Sequence, residues 1–178
     1  MKKQGLIYML AVVVMSAFVI KNDPIDDLEL GKRGATHKED LPEVVFNSIK
    51  MNDFEMLQNY IPNEGELDYL KKHTPRKNQY IYENLNADQL KANTELNFQK
   101  VVEEGIQQGI NWSSVEIMDS EVIEGSHTDE RIFKGMFTVQ GASESPVKIS
   151  FDIIKVKNKW FVFQGLRMED GTKKTSAR

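Results

Sequence analysis

From Gly5 to Ile20 the chain reads GLIYMLAVVVMSAFVI, sixteen residues without a charge behind the positive start Met1-Lys2-Lys3. A short basic region followed by an apolar run is the pattern of a secretory signal. At about 1.5 Å per residue the run reaches roughly 24 Å, short of the ~30 Å hydrocarbon core of a bilayer. Flanking residues and local thinning would still let it act as an uncleaved anchor. Val14-Met15-Ser16 only approximates a cleavage site, so residues 1–20 are read as a signal peptide or a membrane anchor, and the protein as exported: periplasmic, extracellular or anchored facing outward. Residues 21–40, KNDPIDDLELGKRGATHKED, are charged, carry Pro24, Gly31 and Gly34, and show no sustained period, which predicts a polar linker.

Helical periodicity starts at residue 41. Asp40-Leu41-Pro42-Glu43 reads as an amino-terminal cap, with Pro42 where a missing N–H costs nothing. Val45, Ile49, Phe54, Leu57 and Ile61 form an apolar stripe interrupted at Asn52-Asp53, where a second short helix is re-capped, and Pro62 stops it. Glu66–Lys72 adds a turn or two before the breaker His73-Thr74-Pro75. Asn86 opens the longest helix, with Gln89 three residues on and Leu90, Thr94, Phe98, Val102 and Ile106 at steps of four. Beyond Trp112 the period falls to two. Val115–Ile123, with an irregularity at Asp119-Ser120, then Arg131–Gln140 and Val147–Val156 read as strands. Lys157-Asn158-Lys159 is a turn and Trp160–Met168 the returning strand. Helices first and a strand meander afterwards predict an α+β domain over residues 41–170, followed by a frayed tail at 171–178.

Composition narrows the function classes more than it selects one. With 23 Lys plus Arg against 27 Asp plus Glu the net charge is −4, so no basic field invites nucleic acid. The absence of cysteine excludes disulfides, thiolate metal sites, a thiol nucleophile and a lipid-modified terminal cysteine. No phosphate-binding glycine loop and no G-x-S-x-G elbow occurs.

The short-helix segment VVFNSIKMNDFEMLQNYIP at 44–62 and the closing hairpin VKISFDIIKVKNKWFVFQGLRM at 147–168 resemble the nuclear-transport-factor-2-like, cystatin-like cone superfamily. Within it the chain is most similar to small exported bacterial domains, and the match covers about residues 41–168. The resemblance implies amino-terminal helices packed on a curved antiparallel sheet, with a cavity at the open end of the cone. The superfamily spans isomerases, dehydratases, hydrolases, ligand binders and partner-binding modules, so the fold alone does not choose among them.

Chemistry-bearing residues are few. Asp152, in KISFDIIKV, shares a strand face with Lys148 and Ser150; desolvated in a cavity it would serve as a base for an isomerase- or hydratase-like reaction, with Gln164 and Tyr80 or Tyr82 as polar partners. Facing water it is an ordinary surface carboxylate. Trp112, Trp160, Phe161 and Gln164 are the candidate binding residues, although a domain of this size needs such aromatics for its core. His37, His73 and His127 fall in loop-like stretches. Glu124-Gly125-Ser126-His127 matches E-x-x-H, but Gly125 places it in a turn and no second copy exists, so neither a metal nor any other cofactor is expected. Asn111-Trp112-Ser113 matches a glycosylation triplet by pattern. The leading expectation is an exported, non-enzymatic domain that binds a small ligand or a protein partner, with a homodimer through the sheet face among the options. The alternatives are the Asp152 enzyme and an anchored accessory subunit of an envelope complex.

Overall fold

A computed structural model of the chain describes residues 33–125, 129–140 and 146–169. The expected export segment 1–20, residues 21–32 of the expected linker, His127 and the 171–178 tail lie outside the described residues. The architecture is α+β, as the sequence order predicts: among the described residues, four α-helices precede an antiparallel sheet.

Helix α1 (Leu41–Met51) has Pro42 in its first turn, but Asp40 makes no side-chain cap bond. The reason is local. Lys38–Asp40 already forms a 3-10 turn, so the Asp40 backbone is helical (φ −76°, ψ −24°) instead of extended, and its carboxylate does not reach the free N–H groups. Asn52, left-handed at φ 50°, ends α1, and the Asp53 carboxylate accepts the Glu55 N–H at the start of α2 (Glu55–Gln58). Helix α3 (Glu64–His73) opens with a reciprocal box: the Asn63 side chain accepts from the Glu66 N–H at 3.1 Å, and the Glu66 carboxylate from the Asn63 N–H at 2.8 Å. A 3-10 segment, Arg76–Ile81, leads on to α4 (Ala87–Gln107), where Asn86 accepts the Gln89 N–H as expected. Along α4 Leu90, Thr94, Phe98 and Val102 are buried, but Ile106 is exposed and Val101 and Gly105 take over the inner face. Steps of four overshoot a helical turn by about 40°, so a stripe begun at Leu90 has rotated off the core by Ile106.

The sheet is a meander in the order β1 (Ile117–Glu124), β2 (Ile132–Gln140), β3 (Pro146–Val156) and β4 (Lys159–Val162), with β5 (Arg167–Met168) also on β3. The irregularity in β1 falls between Ile117 and Asp119, one residue ahead of the expected place. Phe133, Gly135 and Phe137 of β2 and Ile149, Phe151 and Ile153 of β3 share one face, and Phe46 of α1 meets Phe137 edge-on at 5.7 Å. At Gly135 any Cβ would stand 2.7 Å from the Phe151 ring, so a side chain is excluded there. The opposite face carries Lys134, Lys148, Ser150 and Asp152, then Ile132, Ile154 and Phe161, which are buried. The hairpin end of the sheet is therefore covered on both sides.

Part of that cover comes from the stretch expected as linker. Ala35 pairs with Trp160 through two backbone hydrogen bonds of 2.8 and 3.0 Å, and Gly34 lies against the Phe161 ring. The Tyr60 carbonyl accepts the Val162 N–H at 2.7 Å, so β4 has no free outer edge along these residues. The packed unit thus reaches back to Arg33, whose guanidinium donates to the Ile61 carbonyl. Ala35 and Gly34 are small enough to lie flat on the edge, and an edge strand left unpaired is a liability that such a segment removes. No helix among the described residues is long and apolar enough to cross a membrane.

Candidate binding cleft

The returning strand expected from Trp160 to Met168 is split. Val162 lies opposite Ile153 and Arg167 opposite Ser150, so the returning chain takes five residue steps while β3 takes three. Both backbone groups of Asp152 hold the start of this surplus: its N–H donates to the Gln164 carbonyl at 2.7 Å, and its carbonyl accepts the Phe163 N–H at 2.8 Å. The extra length is absorbed at Gly165, whose φ of +70° is open to glycine and costly for other residues.

This bulge faces the amino-terminal half of α4, and between them lies a cleft of about 420 Å3. Its described lining has eleven residues, six of them carboxamides: Asn84, Asn86, Gln89, Asn93, Asn97 and Gln164. Leu85, Leu90 and Leu96 add apolar surface, and none of the described lining residues is charged. Asn and Gln make up 21 of the 178 residues and charged residues 28%, so chance would give about one carboxamide and three charges. Gln89, Asn93 and Asn97 repeat at steps of four, which sets them in one row on α4 about 6 Å apart. Asn86 uses its side-chain oxygen as the helix cap; the carboxamides of Asn93, Asn97 and Gln164 bond to no other described residue. Each keeps a donor and an acceptor for something else.

Of the candidate site residues named from the sequence, Gln164 alone lines this cleft. Asp152 is half-buried on the sheet face opposite Phe151, across from Lys134, and its carboxylate lies close to the backbone of Gly165 and to Arg167. Trp112 is buried: its indole N–H donates to the Val102 carbonyl at 3.0 Å and its ring fills the space at Gly105. Phe161 is buried. Trp160 is half-buried, edge-on to Phe133, with the Lys38 and Lys155 ammonium groups nearby. Tyr80 is exposed, and the Tyr82 hydroxyl is engaged by Asp129 instead of Asp152. His37 is exposed ahead of the first 3-10 turn, and His73 stacks on Tyr69 at 4.1 Å. Ser113 donates to Asn111 within the glycosylation triplet.

Two polar clusters escape a linear reading. Asp129, at 2% exposure, accepts from the Tyr82 hydroxyl at 2.8 Å and from the Arg131 side chain at 2.6 and 2.9 Å, while Arg131 also donates to Thr74 at 2.7 Å. Burial alone would raise the Asp129 carboxyl; the bonds from Arg131 and Tyr82 outweigh it and hold it at about 2. Burial, then the Asp129 charge and hydrogen bond, push the Tyr82 hydroxyl up. On the polar sheet face Glu169 accepts from Lys134, Ser150 and Arg167, and these cations and hydroxyl keep its carboxyl at about 2 against burial. A smaller depression of about 300 Å3 runs past Asp129 and Arg131, bounded by His73, Lys77 and Glu130.

Among the described residues no group of three or more His, Asp or Glu gathers as a metal site. No protein-family model, curated protein or solved structure matches the chain.

Proposed function

We propose that this chain is an exported domain that binds a small ligand in the cleft between the amino-terminal half of α4 and the Gln164-Gly165 bulge. The observation that carries the reading is the row of carboxamides facing a cleft of about 420 Å3, with hydrogen-bonding groups that the described residues leave unused. Clefts that take small ligands measure about 300–1,000 Å3 and combine apolar surface with a few convergent polar groups. Binding is favoured over conversion because no described lining residue is titratable, so none can exchange a proton with a ligand near neutral pH. Export rests on the basic start and uncharged run of residues 1–20, and the order of helices before a meander is the order that the cone-like resemblance implies.

The test is thermal unfolding of the full-length chain with neutral, acidic and basic small molecules in turn. A ligand at a hundred times its Kd stabilises the folded state by about 2.7 kcal/mol, enough to shift the midpoint by several degrees. At least one class should do this, and Asn93→Leu with Gln164→Leu should abolish the shift. The reading fails if no class shifts the midpoint, or if the shift survives both substitutions.

A further inference from the structure

The cleft's lining is specific enough to name a ligand class. We infer that the cleft recognises a neutral saccharide, laid along the Gln89–Asn93–Asn97 row of α4 with Gln164 closing on it from the bulge. The inference rests on the ligand-binding reading above and narrows it.

Charge comes first. No described lining residue is charged, although Asp88, Lys91 and Glu95 alternate with the carboxamides along the same helix turns. An anionic or cationic ligand entering here would lose water without meeting an opposite charge, which is unfavourable. A neutral ligand carries no such penalty.

The polar groups that face the cleft are chiefly carboxamides. Each hydroxyl of a sugar both donates and accepts, and a carboxamide offers two donors beside a two-lone-pair acceptor. Spaced about 6 Å apart, Gln89, Asn93 and Asn97 form a ladder roughly 12 Å long, which meets successive hydroxyls of more than one ring. Leu90 lies in the lining at the base of the ladder, and Leu96, 65% exposed, stands at its flank. These match the C–H patches that alternate with hydroxyls on a sugar. Helix propensity argues the same way: Asn is among the poorer helix formers, yet Asn93 and Asn97 sit at positions of α4 where Lys or Glu would serve the helix better.

A peptide is the nearest competitor, since its amides also suit carboxamides. Extended peptides usually dock by adding a strand to a free sheet edge. Here the Gln164 carbonyl is turned inward to the Asp152 N–H, and Ala35 and Tyr60 occupy the outer edge of β4. No strand can be added along these residues.

The experiment is titration calorimetry on the full-length chain, held in a polyoxyethylene detergent that contains no sugar. The probes are neutral tetrasaccharides of glucose, mannose, xylose and N-acetylglucosamine, a tetragalacturonate, and N-acetyl-triglycine amide. At least one neutral tetrasaccharide should bind, at least tenfold more tightly than tetragalacturonate and the peptide amide. Asn93→Ala and Asn97→Ala should each weaken it about tenfold, with unfolding midpoints no lower than the parent's showing intact folds. Preferential binding of the peptide amide or the acidic sugar, abolished by the same substitutions, overturns the saccharide class and leaves the cleft reading standing. Binding of none of the probes overturns the inference, and the thermal screen then decides separately whether the cleft binds anything.

Discussion

Two polar regions of this molecule are built from similar numbers of hydrogen-bonding groups and do opposite things with them. Around Asp129 both carboxylate oxygens are spent internally: the Tyr82 hydroxyl, the Arg131 guanidinium and the Arg131 backbone N–H all donate to them, and Arg131 Nη2 also donates to Thr74. In the cleft beside α4 the carboxamides of Asn93, Asn97 and Gln164 bond to no other described residue. The first arrangement joins the end of α3 and the 3-10 segment to the start of β2. The second adds little to stability and keeps its bonding capacity outward. Polarity by itself therefore does not mark a binding site; the state of its hydrogen bonds does.

The contrast can be broken most forcefully at Asp129. Asp129→Asn removes the charge that Arg131 faces, and losing one partner of a buried pair costs about 3–5 kcal/mol. The Arg131 side chain keeps 21% exposure, so water relieves part of this and the low end, about 3 kcal/mol, is expected in denaturant unfolding. A loss under about 1 kcal/mol would mean that the cluster does not tie the elements together.

Acid provides the next test. Because the folded carboxyl is held at about 2, below its ordinary 3.8, its contribution is complete above pH 4 and fades as the pH falls towards 2. The shift corresponds to about 2 kcal/mol. Glu169 titrates over the same range with the same sign, so the measurement is the difference between the parent and Asp129→Asn stability curves. A difference that stays constant from pH 5 to pH 2 would contradict the assignment. Tyr82→Phe should cost about 1 kcal/mol, since Asp129 retains its bonds from Arg131.

At the small end, Asn93→Ala and Asn97→Ala should each cost less than about 0.5 kcal/mol, since Asn93 is exposed, Asn97 is half-buried and neither side chain bonds to another described residue. A loss comparable to that at Asp129 would show the carboxamides to be structural and would erase the distinction between the two regions.

Much of the fold was legible because its two periods are clean. Phe133, Gly135, Phe137 and Val139 in one run and Val147, Ile149, Phe151 and Ile153 in the next recur at every second position, and both runs are central strands. What failed at the boundaries did so for local reasons. His37 and Asp40 read as linker and cap, yet the 3-10 turn between them and the Ala35–Trp160 pairing belong to the packed unit. The split in the returning strand had one signal, Gly165 inside an otherwise strand-like run, which is the usual mark of a bulge. The sequence names Gln164 both as a binding residue and as a polar partner of Asp152. The Gln164 side chain joins Asn93 and Asn97, some seventy residues away, an encounter fixed only when the bulge meets α4. The Asp129 cluster left no linear trace at all, since Asp129-Glu130-Arg131 reads as an ordinary charged loop.

The packing of Trp112 over Gly105 gives the molecule a built-in optical probe. There are two tryptophans, and their surroundings differ sharply: Trp112 is 6% exposed with its N–H bonded to the Val102 carbonyl, whereas Trp160 sits half-open beside two lysines. Of the two indoles, Trp112 should emit to the blue and resist iodide, while Trp160 should emit further to the red and be quenched. Replacing either with phenylalanine separates the signals. The two single-tryptophan variants then follow the carboxyl end of α4 and the hairpin edge separately as the chain unfolds.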